Sequence, residues 1–190
     1  MRVFALLLCL LLAWVPANAE TPADPAPAVG DIPPPALGID RNGDPVELGN
    51  YRGKVVVVAF WASWCAYCRI ELPALDALQK ATGDQWLKIV AVNVQDPIRD
   101  YRSMLRQMHD YSMVLSRDAH GRIARDYGVE AYPNLWIMDP QGRVAAHHVG
   151  YGEDSLQSIV GQIKHLLTLE MHRQQAETAA AAAPAAVTES

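Results

Sequence analysis

The run Val55-Val56-Val57-Val58-Ala59-Phe60-Trp61 constrains this chain more than any other stretch. It is apolar on both alternations of a strand, which is the pattern of a strand buried on both faces and therefore central in its sheet. Leu87 to Val94 (Leu-Lys-Ile-Val-Ala-Val-Asn-Val) is a second strand of the same kind. Between them, Ala66 to Ala81 carries Leu72, Leu75 and Leu78 at helical spacing, with Pro73 removing one intrahelical hydrogen bond and predicting a kink. Helical sequence follows at Ile98 to His109, then a short strand at Met113 to Leu115 and a helix at Ala119 to Tyr127. Leu135 to Met138 and Val144 to Val149 enclose Asp139-Pro140-Gln141-Gly142, a closing hairpin, before an amphipathic helix from Asp154 to Leu169. At the other end, Ala36 to Ile39 and Val46 to Leu48 flank Asn42-Gly43, whose tolerance of positive φ predicts an N-terminal β-hairpin. The fold class is therefore α/β: a central mixed β-sheet flanked by helices on both faces, with an added N-terminal hairpin.

Directly after the first buried strand stand Cys65 and Cys68, three residues apart at the start of the helical stretch. A position just past the carboxyl end of a central strand is where open α/β sheets commonly place active sites. The same C-x-x-C spacing supplies half of a zinc site, but zinc normally takes four ligands and the chain has no second such pair. His147-His148 does not supply the missing half, because adjacent residues of a strand point to opposite faces. Asp96, Asp100 and Asp118 read as ordinary loop and helix-end acids.

Residues 1–19 have the form of a secretory signal: Arg2, an apolar core from Val3 to Val15, and Ala17-Asn18-Ala19 as a cleavage site. The apolar run is shorter than the roughly 20 residues of a spanning helix, so cleavage after Ala19 is expected, with an uncleaved membrane anchor as the alternative. Cleavage removes Cys9 and leaves Cys65 and Cys68 as the only thiols of an exported protein, so no disulfide other than their own is open to it. Residues 20–35, rich in proline and alanine, read as a linker; residues 36–169 as one domain; and residues 170–190, with the Ala179 to Ala183 run, as a low-complexity tail expected to fray. The formal charge of −5, one unit more negative without Arg2, argues against nucleic acid or anionic lipid as a partner.

Taken together, Phe60-Trp61-Ala62-Ser63-Trp64-Cys65-Ala66-Tyr67-Cys68, the continuation to Glu71 and Pro73, and Gly128-Val129-Glu130-Ala131-Tyr132-Pro133 ahead of a strand resemble the thioredoxin superfamily. The resemblance is narrower to the bacterial extracytoplasmic thiol-disulfide oxidoreductases of the TlpA/ResA/DsbE type and runs over most of Ala36 to Leu167. It implies a thioredoxin-like fold, a redox disulfide between Cys65 and Cys68, and a cis peptide bond before Pro133 that leaves the backbone of Tyr132 free to pair with a substrate strand. Two departures stand out. Ala59 occupies the place of the buried aspartate of thioredoxin itself, and Asn134 follows the proline where many relatives have threonine.

With Cys65 at a helix N-terminus, unpaired N–H groups and the macrodipole lower a thiol pKa from about 8.5 towards neutrality, which makes Cys65 the nucleophile and Cys68, one turn on, the resolving thiol. The bland reading is a permanent disulfide or two inert buried thiols. Glu71, three residues after Cys68, is placed to manage the proton of that thiol and to fill the vacancy at Ala59, against the alternative of a solvated first-turn acid. Trp64 and Tyr67, with Tyr132 and Pro133, are the candidate substrate contacts; Trp61 belongs either to this apolar apron or to the core. Ala66-Tyr67 contains no cation, which favours a reductant over a strong oxidant, although Arg69 beside Cys68 weakens that argument unless it points to solvent.

The function expected is a periplasmic reductase of disulfides in exported proteins, re-reduced by a membrane thiol-disulfide electron donor. The family resemblance adds reduction of apocytochrome c during cytochrome c maturation as a role. The cycle needs no bound cofactor, and a monomer is the expected state. The alternatives are a disulfide oxidase or isomerase running the same chemistry in reverse, and a thiolate Cu or Zn binding module.

Overall fold

The computed structural model describes residues 25–182. The signal sequence expected over residues 1–19, the start of the linker and the last eight residues of the tail lie outside the described residues.

Seven strands form one sheet: β1 (Ala36–Asp40), β2 (Pro45–Glu47), β3 (Val55–Trp61), β4 (Leu87–Val94), β5 (Val114–Asp118), β6 (Asn134–Met138) and β7 (Val144–Val149), in the order β2-β1-β5-β4-β3-β6-β7. The helices are α1 (Cys68–Thr82), α2 (Ile98–Gln107), the short α3 (Arg122–Asp126) and α4 (Glu153–Ala182), with a 3₁₀ turn at Leu48–Tyr51. β3 pairs parallel with β4 and β4 parallel with β5, while β1–β5, β3–β6 and β6–β7 are antiparallel. The chain belongs to the thioredoxin-like α/β class expected from its sequence, with the N-terminal hairpin extending the sheet at β5.

Every residue of β3 is at most 1% exposed, so both sides of this strand do carry core. Val55, Val57, Ala59 and Trp61 pack with Leu72 and Leu75 of α1, Tyr101 and Met104 of α2, and Ile159, Ile163 and Leu167 of α4. On the other face Val56, Val58 and Phe60 pack with Leu37, Val46, Leu48, Ala124 of α3, Tyr127 and Trp136. Parallel β3–β4 and β4–β5 pairs require crossovers. Because both crossovers step in the same lateral direction with right-handed connections, α1 and α2 share a face.

Four segments differ from the sequence reading. β5 extends beyond Leu115 through Ser116, Arg117 and Asp118, because Ser116 finds a buried acceptor in Leu37 O (2.5 Å) and the Asp118 carboxylate accepts from the N–H groups of Arg122 and Ala124. That cap delays α3 to Arg122 and shortens the helix expected from Ala119. α4 runs to Ala182, well into the tail expected to fray; alanine has the highest helix propensity and needs no side chain buried to extend a helix. Residues 25–35 form neither helix nor strand, as their prolines dictate, yet they dock on the domain through Gly30 N–H to Val144 O (2.8 Å), Val144 N–H to Asp31 O (2.9 Å) and Tyr127 O–H to Pro34 O (2.8 Å). Among the described residues no helix is long and apolar enough to cross a membrane.

Candidate redox site

β3 ends at Trp61, and a turn closed by Cys65 N–H to Ala62 O (3.1 Å) carries the chain to the start of α1. Cys65 and Cys68 are joined as a disulfide with Cα atoms 5.3 Å apart. Cys65 lies slightly further out than expected, three residues before the first helical residue rather than at the cap itself. Its sulfur nevertheless accepts from the N–H of Cys68 at 3.1 Å, and Tyr67, the residue in the capping position, offers no side-chain bond of its own. The sulfur thus meets one of the N–H groups that a helix start leaves unpaired. Both cysteines are buried, Cys65 at 6% exposure and Cys68 at 0%, so of the two only Cys65 keeps any surface. Pro73 sits within α1 without ending it.

Glu71 lies one turn beyond Cys68 on α1 and is only 2% exposed, so it is not a solvated first-turn acid. Burial pushes its carboxyl up to about 7, and nothing among the described residues offsets that burial. Ala59, in the place of thioredoxin's aspartate, is buried among the apolar residues of the same face. Arg69 is exposed.

The Tyr132–Pro133 bond is cis. The loop it shapes meets the redox turn through Trp64 and Tyr132, whose rings are 5.6 Å apart edge to face. Trp64 is 71% and Tyr67 56% exposed, while Trp61 is at 1% and belongs to the core. Tyr67 stacks on Tyr151, ring centroids 5.5 Å apart. Among the described residues neither the N–H nor the C=O of Tyr132 pairs with another backbone group outside the regular elements. Asn134 turns inward at 1% exposure, its Oδ1 hydrogen-bonded with His147 Nε2 at 3.0 Å. His148 bonds instead with Gln162 of α4, so the two histidines point to opposite faces.

One residue at this site, Tyr151, escapes the sequence reading, and another, Asp96, is read there as an ordinary loop acid. Tyr151, after β7, comes to Tyr67 only through the tertiary fold, and its flanking glycines signal a loop and nothing more. Asp96, two residues past the end of β4, is instead a buried acid at 2% exposure whose Oδ2 accepts from Ser63 N–H at 2.7 Å, inside the redox turn. The order of strands β3 and β4 was the available signal, since parallel neighbours bring their carboxyl ends together. Among the described residues no group of three or more His, Cys, Asp or Glu side chains is placed to hold a metal ion.

The family model described as the AhpC/TSA family matches residues 25–147. The chain is 35% identical over 111 residues to the thioredoxin-like protein YneN of Bacillus subtilis, covering 57% of this chain and 64% of that protein. It is 30% identical over 142 residues to the thiol-disulfide oxidoreductase ResA of Geobacillus thermodenitrificans, covering 75% and 80%. The chain spans less than two thirds of the length of YneN and of several other curated relatives. Among solved structures, a putative thiol:disulfide interchange protein DsbE from Chlorobium tepidum superposes with a TM-score of 0.66 at 32% identity, covering 75% of this chain and 99% of that one.

Proposed function

Because this chain belongs to the AhpC/TSA family, we propose that it is a thiol-disulfide oxidoreductase that reduces disulfides of exported proteins in the periplasm. The observation that carries the reading is the Cys65–Cys68 disulfide at the start of α1, of which only Cys65 keeps any exposure, with the buried Glu71 carboxyl one turn beyond. Similarity to ResA and to a DsbE-type interchange protein supports it. The signal-like residues 1–19 support export.

In the reduced protein the Cys65 thiolate attacks one sulfur of the substrate disulfide. A Cys65–substrate bond forms, the substrate S–S bond breaks, and the departing sulfur takes up a proton. Cys68 then loses its proton to Glu71 and attacks the Cys65 sulfur; the Cys65–substrate bond breaks as the Cys65–Cys68 bond forms, and the second substrate sulfur leaves as a thiolate that takes up the proton Glu71 gives back. Two electrons pass from the dithiol to the substrate. A carboxyl that titrates near 7 is matched to this task, since it exchanges its proton readily at neutral pH. The unpaired backbone of Tyr132 and the exposed rings of Trp64 and Tyr67 form the surface on which an extended substrate segment lies beside the reactive sulfur.

A membrane thiol-disulfide carrier is the electron donor in this reading, and apocytochrome c is the substrate suggested by the TlpA/ResA/DsbE resemblance. The reduction potential tests the direction: a value near −270 mV, about that of thioredoxin, supports a reductase, and one near −120 mV, about that of a strong periplasmic oxidant, refutes it. Cys68→Ser should stall the mixed disulfide on Cys65 and capture the substrate covalently. Recovery of no disulfide-linked partner from the native compartment would count against a transfer role.

A further inference from the structure

Between β4 and α2 the backbone takes a strained step. Gln95 has φ of 54°, in the left-handed region, and among the described residues no other non-glycine has positive φ. Strain of this kind persists only where the surrounding structure over-determines it. What the step delivers is Asp96, turned inward at 2% exposure. Asp96 Oδ2 accepts from Ser63 N–H at 2.7 Å and from Asn93 Nδ2 at 2.6 Å, and its main-chain oxygen accepts from Arg117 Nη2 at 2.7 Å. Asp96 Oδ1 is buried with no partner among the described residues, a costly arrangement for an acid that serves no purpose there. Capping α2 is not that purpose, because the start of that helix at Pro97 receives no side-chain hydrogen bond.

Ser63 is the second residue of the turn that Cys65 N–H closes onto Ala62 O. We propose that Asp96 is a positioning residue of the redox turn: by fixing Ser63 N–H it holds Cys65 where its sulfur meets the Cys68 N–H at the start of α1. The proposal rests on the reading of Cys65 as the exchanging thiol, and not on the direction of electron flow. Of the charged groups, Arg117 donates to the main-chain oxygen of Asp96, and the Tyr132 phenol of the proline loop, raised chiefly by burial, is raised further by the charges of Asp118 and Asp96.

The test is the pH dependence of Cys65 alkylation by iodoacetamide in the reduced protein, with amide exchange at Ser63. Asp96→Ala removes the acceptor, so the alkylation midpoint should rise and the rate below the midpoint should fall about tenfold per unit of rise. Asp96→Asn keeps an oxygen in place and should restore the rate to within about twofold, since the acceptor and not the charge is what positions the turn. A fall of the midpoint in both variants would show an effect of charge alone and overturn the proposal, as would two variants indistinguishable from the wild type. Should Asp96→Ala fail to fold, the wild type still decides: the Ser63 amide must exchange slowly, and fast exchange there overturns the clamp. A wild-type potential near the strong oxidants would sink the reductase reading while leaving these differences intact.

Discussion

Glu71 and Asp96 are both 2% exposed, one a turn beyond Cys68 and the other bonded to Ser63 in the turn before Cys65, yet the protein treats them oppositely. Glu71 is buried with nothing to compensate it, and its carboxyl titrates near 7. Asp96 is buried onto two N–H donors, one of them in the redox turn. Burial alone therefore assigns no role to an acid. A carboxyl without donors holds its proton to neutral pH and can exchange it, whereas a carboxylate engaged by donors spends its acceptor capacity on geometry.

The largest expected effect comes from removing Glu71. Its folded-state pKa lies above the unfolded value, so between pH 4.5 and about 7 the unfolded chain releases the proton first and stability falls as pH rises. The oxidised wild type should lose about 3 kcal/mol of unfolding free energy across that window relative to Glu71→Gln, and nothing further above it. Equal slopes in the two proteins would erase the contrast between the acids. In the reduced protein, Glu71→Gln should also shift the thiol titration, and unchanged titration of both cysteines would sink the proton-relay role. Next in size is Asp96→Ala, which leaves Ser63 N–H and the Asn93 amide without an acceptor and should cost about 1.5–3 kcal/mol, the range for hydrogen bonds to a charged group.

How far the sequence reveals this pair depends on what kind of signal each residue carries. Glu71 is legible because it shares a helix with Cys68 at a spacing of three, and helical spacing fixes its side of α1 before any tertiary contact is known. β3, β4 and β7 are legible to their end residues because the apolar runs and turn signals coincide with them. Asp96 is not, since its partner Ser63 is 33 positions away and only the parallel pairing of β3 with β4 brings them together. The end of α4 fails for a different reason: an alanine run looks like tail to an argument from burial and like helix to an argument from propensity, and in the structure propensity prevails.

The smallest expected effect lies on the exposed side of the site and sharpens the contrast by exclusion. Tyr151 stacks on Tyr67, the residue immediately before Cys68, at 5.5 Å between ring centroids. Aromatic pairs contribute about 0.5–1.5 kcal/mol. With Tyr67 56% exposed the lower end applies, so Tyr151→Ala should reduce unfolding free energy by about 0.5 kcal/mol. The titration of Glu71 should not move, because Tyr67 is 56% exposed and its stack lies at the surface while Glu71 is 2% exposed. A loss near 2 kcal/mol, or a fall of the Glu71 midpoint towards 4.5, would mean that the aromatic pair seals the helix start. The unpaired state of Glu71 would then be a property of that seal, and the difference between the two acids would lie in what covers them rather than in what bonds them.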